Sequence, residues 1–585
     1  MPTASFFTAE QKIPIAQKKV SIQAENGLSY NLGQRINFVI PASTGYFMPS
    51  ETYLRMDVKI QMPNETAGQM TRLMLDGETG ANVLIRDITI RSGGAQNVLL
   101  EEIQNANVLT ALKYDYECND NIQQKRALTE GCQFRSQEGR STMGAVETIM
   151  NNHRDNQYFG HSTALMTNAQ YRTVKALLKL PAGIFQNDKV FPLQLTDGLR
   201  IEILLEDAEK VFRQLDTIHR DRTILSNPRF HSINGSDNAS TTNDWQNGSA
   251  TTSVYLTRDN NQSSAANLPF CVGEQVSFFN PDSGSDSSAS ATFPITAVTF
   301  ESGDGSVDKV KLALASASNT AGFSITKNFH AYSRSLAVAG SSYKPTISVD
   351  DVELILQQVM MPDGYTQTMM SNLKAGGSLN YDFMSYTNYK YSQQKEDRVA
   401  NIRLPIQNSR CKSILCIPTD ASVYSTRDVI NASGTYEVND IINDCGGTGV
   451  NNSTRSGLVG ICDQLTQYQF LYDGRLNPSR KVPTNRIADI ADGTQQLNQQ
   501  VLIENEKALH MANIDPLSFK KFQDNFFIGR ALSLNDGVYD GRGKDFNLQV
   551  EYQETSSPTK NKLWMNFVAH IRRIVVRGDS IALEV

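Results

Sequence analysis

Apolar and polar side chains alternate with a period of two in many segments of this chain. In "YLRMDVKIQM" every second residue from 54 to 62 is apolar, and Arg55, Asp57 and Lys59 stand between them. Such alternation places one set of side chains on each face of a β-strand. The pattern recurs in "RINFVIP", "LRIEILLE", "DVELILQ" and "FNLQVEYQ", which begin at residues 35, 199, 351 and 546. Strands are therefore predicted in both halves of the chain.

Helical patterns are few. Residues 97–114 carry Leu99, Ile103, Ala106 and Leu109 at helical spacing, and Asp515 followed by a proline is typical of a helix start. We expect short helices that decorate loops. Parallel sheets would need a helix between most strands, so the pattern predicts a mainly β fold of antiparallel sandwiches or jelly rolls. In "NVLIRDITIRS" the alternation slips, which predicts a β-bulge near Asp87.

The composition and the polar–apolar pattern of the sequence change between residues 208 and 345. Its first part contains "NGSDNASTTNDWQNGSATT" at 234–252, a polar stretch that cannot build a core. Further on, "PITAVTFESGDGSVDKVKLALA" predicts two alternating strands around a Gly/Asp turn. A strong strand follows at 348–361. The region is therefore interpreted as an insertion into a domain, with some β structure of its own.

Length and composition set broad limits. A chain of 585 residues is expected to hold two to four domains. Its net charge of −6 is too small to draw nucleic acid to the protein by its overall field. No apolar leader follows the first residues, so a soluble chain made in a cytosol-like compartment is expected. Seven scattered cysteines argue against a disulfide framework, and the Asn-x-Ser/Thr matches are interpreted as polar loop composition.

Motifs for chemistry are absent, and we predict no catalytic, cofactor-binding or metal-ligating residue. The sequence holds no P-loop, HExxH, EF-hand or GxSxG pattern. Cys411 and Cys416 are expected to pack in a core, because their spacing on a strand would send the two sulfur atoms to opposite faces. His153 and His161 lie in a polar loop, where solvated side chains are expected. The tripeptide RGD at 577–579 is interpreted as a tight turn.

Basic residues lie near both ends of the chain. They are Lys12, Lys18 and Lys19 at one end and Arg572, Arg573 and Arg577 at the other. Side chains of this kind bind phosphate groups, so a local contact with a polyanion is one interpretation. A solvated or salt-bridged surface is the other, and the sequence leaves both open.

The order of several segments resembles a known family. "LKLPAGIFQNDKVFPLQLTDGLRIEILLED" precedes the insertion, and "ISVDDVELILQQVMMPDG" follows it. Then come "VANIRLPIQNSRCKSILCIP", "FLYDGRLNPSRKVP" and the closing "KLWMNFVAHIRRIVVRGDSIALEV". Together they resemble a double jelly-roll major capsid protein of the adenovirus and nucleocytoplasmic large DNA virus lineage, with the virophage and polinton-like virus branch as the nearest type. The long insertion departs from many members of that family.

The resemblance implies a specific architecture and function. Two tandem eight-stranded jelly rolls would form the chain, with short decorating helices and a β-containing loop insertion. The expected division is an N-terminal arm at 1–15, a first roll at 16–362 interrupted by an outer tower loop at 208–345, and a second roll at 363–585. Homotrimers would form pseudo-hexagonal capsomers that tile an icosahedral shell around double-stranded DNA, without enzymatic activity or cofactors.

The same resemblance implies partners and a location. The trimer would contact neighbouring capsomers and penton and minor or cement capsid proteins, with local contact to the genome or an inner membrane and no small-molecule substrate. The protein would be synthesised in the host cytoplasm or a virus factory and would reside in the virion. The alternative hypothesis is a β-sandwich adhesin or carbohydrate-binding fibre or tail protein. Only Trp245 and Trp564 could then supply indole stacking surfaces, and an enzyme such as a glycoside hydrolase ranks third.

Overall fold

The structure is a computed structural model, and its description covers the strands and helices together with the shorter connections. The described residues are 16–61, 73–76, 78–94, 97–119, 122, 125–126, 129–132, 171–211, 213–214, 253–257, 275–279, 293–301, 309–314, 330–334, 346–421, 458–463, 465–484, 487–488, 495–496, 499–517, 525–533, 537–552, 561–577 and 580–584.

Strands make up most of the regular structure. Up to residue 214 they are β1 (Ala16–Gln23), β2 (Ser29–Asn31), β3 (Arg35–Ile40), β4 (Tyr46–Gln61), β5 (Leu73–Met74), β6 (Ile85–Ser92), β7 (Leu99–Ile103), β8 (Tyr171–Lys179), β9 (Phe191–Pro192), β10 (Leu199–Leu205) and β11 (Arg213–Gln214). Then follow β12 (Ser253–Thr257), β13 (Gln275–Phe279), β14 (Phe293–Glu301), β15 (Lys309–Leu314), β16 (His330–Arg334) and β17 (Thr346–Met360).

The second half of the chain repeats this character. Its strands are β18 (Ser378–Gln393), β19 (Val399–Leu404), β20 (Cys411–Asp420), β21 (Leu465–Tyr472), β22 (Arg475–Pro483), β23 (Ile487–Ala488), β24 (Gln495–Gln496), β25 (Ile528–Ala531), β26 (Phe546–Tyr552), β27 (Lys562–Arg577) and β28 (Ser580–Glu584). The α-helices with described bounds are α1 (Ala106–Glu117), α2 (Ala208–Val211), α3 (Asp363–Lys374) and α4 (Gln499–Met511).

Eight strands of the first half form two facing antiparallel sheets. One sheet has the order β1-β17-β4-β8, and the other has the order β3-β10-β6-β7. Counted from one to eight along the chain, these strands give the orders 1-8-3-6 and 2-7-4-5. Two four-stranded sheets connected in this way form a jelly roll. We call this unit the first roll.

The second half contains a roll of the same strand order. Its sheets are β18-β27-β20-β25 and β19-β26-β21-β22, which again read 1-8-3-6 and 2-7-4-5. β28 pairs with the last residues of β27 and extends the first of these sheets. We call this unit the second roll. The mainly β fold with two tandem eight-stranded jelly rolls is therefore confirmed.

Each core consists of the side chains that the alternation predicted to face inward. Leu54, Met56 and Val58 on β4 have no exposed surface. Of the polar residues that alternate with them, Arg55 is exposed and Asp57 is buried, and Lys59 forms an ion pair with Asp350. Burying such aliphatic side chains contributes about 1.5–3 kcal/mol each. The apolar stripe of each strand thus holds the two sheets of a roll together.

The insertion between β10 and β17 has its own sheet. β12, β15, β14, β13 and β16 pair in that order. The two strands predicted around the Gly/Asp turn are β14 and β15, which pair antiparallel from Glu301↔Lys309 onward. The prediction of β structure inside the insertion is confirmed, and the polar stretch at 234–252 lies outside the described residues.

Two local predictions had different outcomes. The predicted bulge is present at Arg86, because Leu204 pairs with Asp87 and Leu205 pairs with Ile85. The helical prediction for residues 97–114 is wrong in its first part. Residues 99–103 form β7, which pairs with β6, and the helix begins only at residue 106. Long-range pairing with β6 outweighs the local helical spacing. Near Asp515, residues 512–517 are not helical, and 518–524 lie outside the described residues.

Candidate assembly surfaces

The two rolls stand side by side in the same orientation. In a 1-8-3-6 and 2-7-4-5 topology, strand 1 starts and strand 8 ends at the same end of the roll. The segment from 361 to 377, which contains α3, joins the end of β17 to the start of β18. This short connection places the corresponding ends of both rolls together. We call this end the inner end and the opposite one the outer end.

Long connections leave the rolls at the outer end. This end carries the connections between strands 1 and 2, 3 and 4, 5 and 6, and 7 and 8 of each roll. They include 104–170, 206–345, 421–464 and 484–527. The longest connection at the inner end is 180–198, and the tightest is the turn of Asp473 and Gly474 between β21 and β22. The two ends of the molecule therefore differ in the length of the connecting segments that a partner could contact.

The contact between the two rolls, which we call the joint, runs from the inner to the outer end. At the inner end the rings of Phe191 and Tyr381 lie edge to face with centroids 5.0 Å apart. At the outer end Tyr116 on α1 donates a hydrogen bond to the Asn525 carbonyl at 3.0 Å. The Asn525 side chain in turn donates to Asp115 Oδ2 at 2.7 Å. These contacts at both ends fix the mutual orientation of the rolls.

Glu101 on β7 lies in the middle of the joint with no exposed surface. Its carboxylate accepts hydrogen bonds from the backbone N–H groups of Gly183 (2.9 Å) and Ile184 (3.0 Å). It also accepts one from Ser385 Oγ of the second roll at 2.7 Å. Burial raises the pKa of Glu101, and these hydrogen bonds and the charge of Arg572 oppose that shift. One carboxylate thus connects three segments, two of the first roll and one of the second.

Gly183 allows a close backbone approach across the joint. A Cβ atom at this position would lie 1.7 Å from the Met384 carbonyl oxygen on β18 and 3.0 Å from Glu101 Oε1. Its φ of −61° is ordinary, so glycine is required here for space and not for conformation. Nearby, Arg572 donates to the Leu100 carbonyl at 3.1 Å. The two rolls therefore pack backbone against backbone at this point.

An apolar cavity of about 230 Å³ lies at the inner end beside α3. Aromatic and aliphatic side chains from both rolls and from α3 line it, among them Tyr46, Phe191, Tyr365, Tyr381 and Val576. Its lining includes Lys189 but no carboxylate, histidine or cysteine.

The basic residues noted in the sequence do not form one patch. Lys18 and Lys19 are exposed on β1, and Arg577 is exposed at the end of β27. Arg573 instead makes a two-pronged ion pair with Asp382, at 2.6 and 3.0 Å. Arg572 lies in the joint, as described above. Lys12 lies outside the described residues. The phosphate interpretation thus applies only to the exposed members, which all lie toward the inner end.

Cysteine and histidine positions show no metal or nucleophilic centre within the described ranges. No group of three or more potential metal ligands occurs among those residues. Cys411 and Cys416 are buried on β20, and Cys411 Sγ contacts the Asn408 carbonyl at 3.2 Å. Burial raises the pKa of Cys411 to about 12. The packing role predicted for these two thiols agrees with their surroundings, and His153 and His161 lie outside the described residues.

His570 on β27 is buried and is expected to make stability depend on pH. Its Nε2 accepts a hydrogen bond from Arg572 Nε at 3.1 Å, and its Nδ1 lies 3.1 Å from the Val568 carbonyl. Burial, with the charge of Arg572, lowers the pKa of His570 to about 3. In the unfolded chain the His570 side chain therefore takes up a proton near pH 6.5, whereas in the folded chain it stays neutral until the pH is near 3. Stability should fall by about 1.4 kcal/mol per pH unit between pH 6.5 and 3.

The test compares the urea unfolding midpoints of the wild type and His570→Gln at pH 7 and pH 5. The glutamine keeps an acceptor for Arg572 but does not titrate. The variant should lose less stability than the wild type over this interval. Equal losses in both proteins would contradict a neutral buried histidine.

Other sequence features lie apart from the joint. Trp564 has no exposed surface and donates through Nε1 to Gln393 Oε1 at 2.7 Å, so it offers no stacking face to a sugar. Trp245 lies outside the described residues, as do the last two residues of the RGD tripeptide. No described helix is long and apolar enough to span a bilayer. The joint itself had no recognisable motif in the sequence.

Comparison with known proteins gives similarity at the level of solved structures. No family model matches the chain, and no curated protein matches it. The chain is similar to PBCV-1 VP54 as fitted into a reconstruction of the virophage Sputnik, with 9% identity, 99% of both chains covered and a TM-score of 0.45. The Faustovirus major capsid protein is 8% identical, with 97% of this chain and 92% of that chain covered and a TM-score of 0.46. The mavirus major capsid protein is 9% identical, with 100% of this chain and 95% of that chain covered and a TM-score of 0.35.

Proposed function

We propose that the protein is the major capsid protein of a virus and acts by assembly alone. The observation that carries this proposal is the pair of rolls with the same strand order, held in the same orientation by the contacts of the joint. Three such chains around an axis supply six similar rolls, which is a pseudo-hexagonal building unit. A homotrimer of this kind can tile an icosahedral shell around double-stranded DNA.

The difference between the inner and the outer end of the molecule supports the same proposal. We propose residues 16–362 as the first roll and 363–585 as the second, with 208–345 as a tower loop on the outer surface. The inner end, with β1, α3 and the exposed Lys18, Lys19 and Arg577, would face the shell interior. The N-terminal arm at 1–15 would start there and reach neighbouring capsomers, minor or cement proteins, the genome or an inner membrane. Virion localisation follows from this arrangement.

The trimer is the first testable prediction of this proposal. Obligate interfaces between subunits bury about 2,000–5,000 Å², so the trimer should persist at low micromolar concentration. Native mass spectrometry should give a species near three times 64.9 kDa, and negative-stain images should show hexagonal outlines. A stable monomer that forms neither trimers nor particles would contradict the proposal. Specific glycan binding by that monomer would favour the adhesin alternative.

A further inference from the structure

Three charged side chains meet inside the outer end of the second roll. Lys562 is the first residue of β27, and Asp420 is the last residue of β20. The two lie directly opposite each other in the β20–β27 ladder. Asp463 comes just before β21, at the end of the 421–464 connection. Their exposed fractions are 0% for Lys562, 2% for Asp420 and 3% for Asp463. Three ionisable groups are thus enclosed where two outer connections leave the roll.

Their contacts bring an amine against a carboxyl group. Lys562 Nζ donates a hydrogen bond to Asp463 Oδ2. The same Nζ lies 4.7 Å from the centroid of the Tyr552 ring. The Tyr552 side chain is itself buried, with 2% of its surface exposed. Burial lowers the pKa of Lys562, and the negative charges of Asp463 and Asp420 oppose that shift. The surroundings therefore exclude water and hold the two groups in contact.

A buried ion pair has an uncharged alternative. Moving one proton from the ammonium group to the carboxylate gives a neutral amine and a neutral carboxylic acid, which a low-dielectric site tolerates better than two separated charges. A neutral amine held against a carboxylic acid is the reactant pair for amide formation. Fixing such a pair can raise its effective concentration to about 10⁵–10⁸ M. Exclusion of water also removes the main competitor for the product.

We infer that Lys562 and Asp463 form an intramolecular amide bond, with Asp420 as the proton carrier. A proton first passes from Lys562 to Asp463, and the Nζ lone pair then attacks Cγ of Asp463. Asp420 accepts a proton from the attacking nitrogen and returns it to the departing oxygen. The Cγ–O bond breaks, and that oxygen leaves as water. The ammonium and carboxylate together thus yield one amide and one water, with no oxidant or other co-reactant.

Such a bond would clamp the second roll at its outer end. It would join the first residue of strand 8 to a residue two positions before strand 4, at the end of the roll from which the 421–464 and 553–561 connections leave. The ring closed by residues 463 to 562 would contain β21 to β26. This inference does not depend on the proposed function, because the chemistry needs only the folded second roll.

Mass spectrometry of the folded, full-length protein tests the inference. The intact mass should be lower than the sequence mass by one water molecule. After denaturation and trypsin digestion, residues 456–475 should appear joined to residues 561–572, with no cleavage after Lys562. A folded protein with the full sequence mass and two separate peptides would overturn the inference.

Two variants serve as matched controls. Lys562→Arg keeps a cation beside Asp463 but cannot condense, so it should fold and retain the full mass. Loss of water in that variant as well would place the reaction elsewhere and overturn the assignment. Asp420→Asn should keep the shape of the site and slow the appearance of the joined peptide at least tenfold after refolding. Joining at the wild-type rate would remove Asp420 from the proposed step.

Discussion

Replacing Glu101 with alanine should lower the free energy of unfolding by about 3–5 kcal/mol, because the change removes one partner of a buried charged network. The Gly183 and Ile184 N–H groups and the Ser385 hydroxyl all donate to this carboxylate. Each buried donor left without an acceptor costs about 1–3 kcal/mol. The loss should fall on the joint, because Ser385 belongs to the second roll and the other two donors to the first.

Chemical unfolding measures the stability, and limited proteolysis between residues 361 and 377 reports opening of the joint. Glu101→Ala should be cut faster there than the wild type. Glu102→Ala is the matched control, since this neighbouring carboxylate on the same strand is only half-buried and accepts from Gln104. It should change stability by less than about 0.5 kcal/mol. Equal effects of the two variants would show that Glu101 does not hold the rolls together.

A methyl group at position 183 should also destabilise the joint strongly. In Gly183→Ala the new Cβ would lie 1.7 Å from the Met384 carbonyl oxygen. That oxygen is part of the β18 backbone, so no side-chain rotation can relieve the clash and the rolls must move apart. Overpacking of a core usually costs about 1–3 kcal/mol. A clash between backbone segments should reach or exceed the upper limit of that range.

Gly364→Ala is the control for this second prediction. Gly364 lies in α3, and a Cβ there meets nothing within 4 Å. Its replacement should stabilise the protein by up to about 1 kcal/mol, because alanine is a better helix former than glycine. Thermal unfolding of both variants gives the comparison, and trimer formation by native mass spectrometry shows whether the joint is needed for assembly. A Gly183→Ala protein as stable as the wild type would contradict the observed packing.

Strand positions were predictable because alternation is a local property. Residues 54–61, 199–205 and 546–552 carry the pattern within one segment, and all three lie in the strands expected. The shared order of the two rolls was not predictable in the same way. It depends on pairings such as Ala16↔Met360, and no local signal links residues so far apart along the chain.

The joint was missed for a related reason. Glu101 and Glu102 are adjacent in "LLEEIQ", and a strand must send them to opposite faces. One of the two carboxylates therefore had to face the interior of the protein. This was the sequence signal that could have predicted a buried acid at the joint. Reading it required knowing that residues 99–103 form a strand, whereas the spacing of Leu99 and Ile103 indicated a helix. The burial of Glu101 could be predicted only after residues 99–103 were assigned to a strand.

The separation of long and short connections decides where this chain can grow. The entropic cost of closing a loop rises slowly, by about 0.6 kcal/mol for each doubling of its length. Residues added to the connections at 206–345 or 421–464 would therefore change the outer face with little effect on the sheets. An added residue between β21 and β22 would instead disturb the turn at Asp473 and Gly474 and shift the register of β22 against β21. The same polypeptide thus offers an outer end open to insertion and diversification and, between β21 and β22, an inner-end turn whose length is fixed.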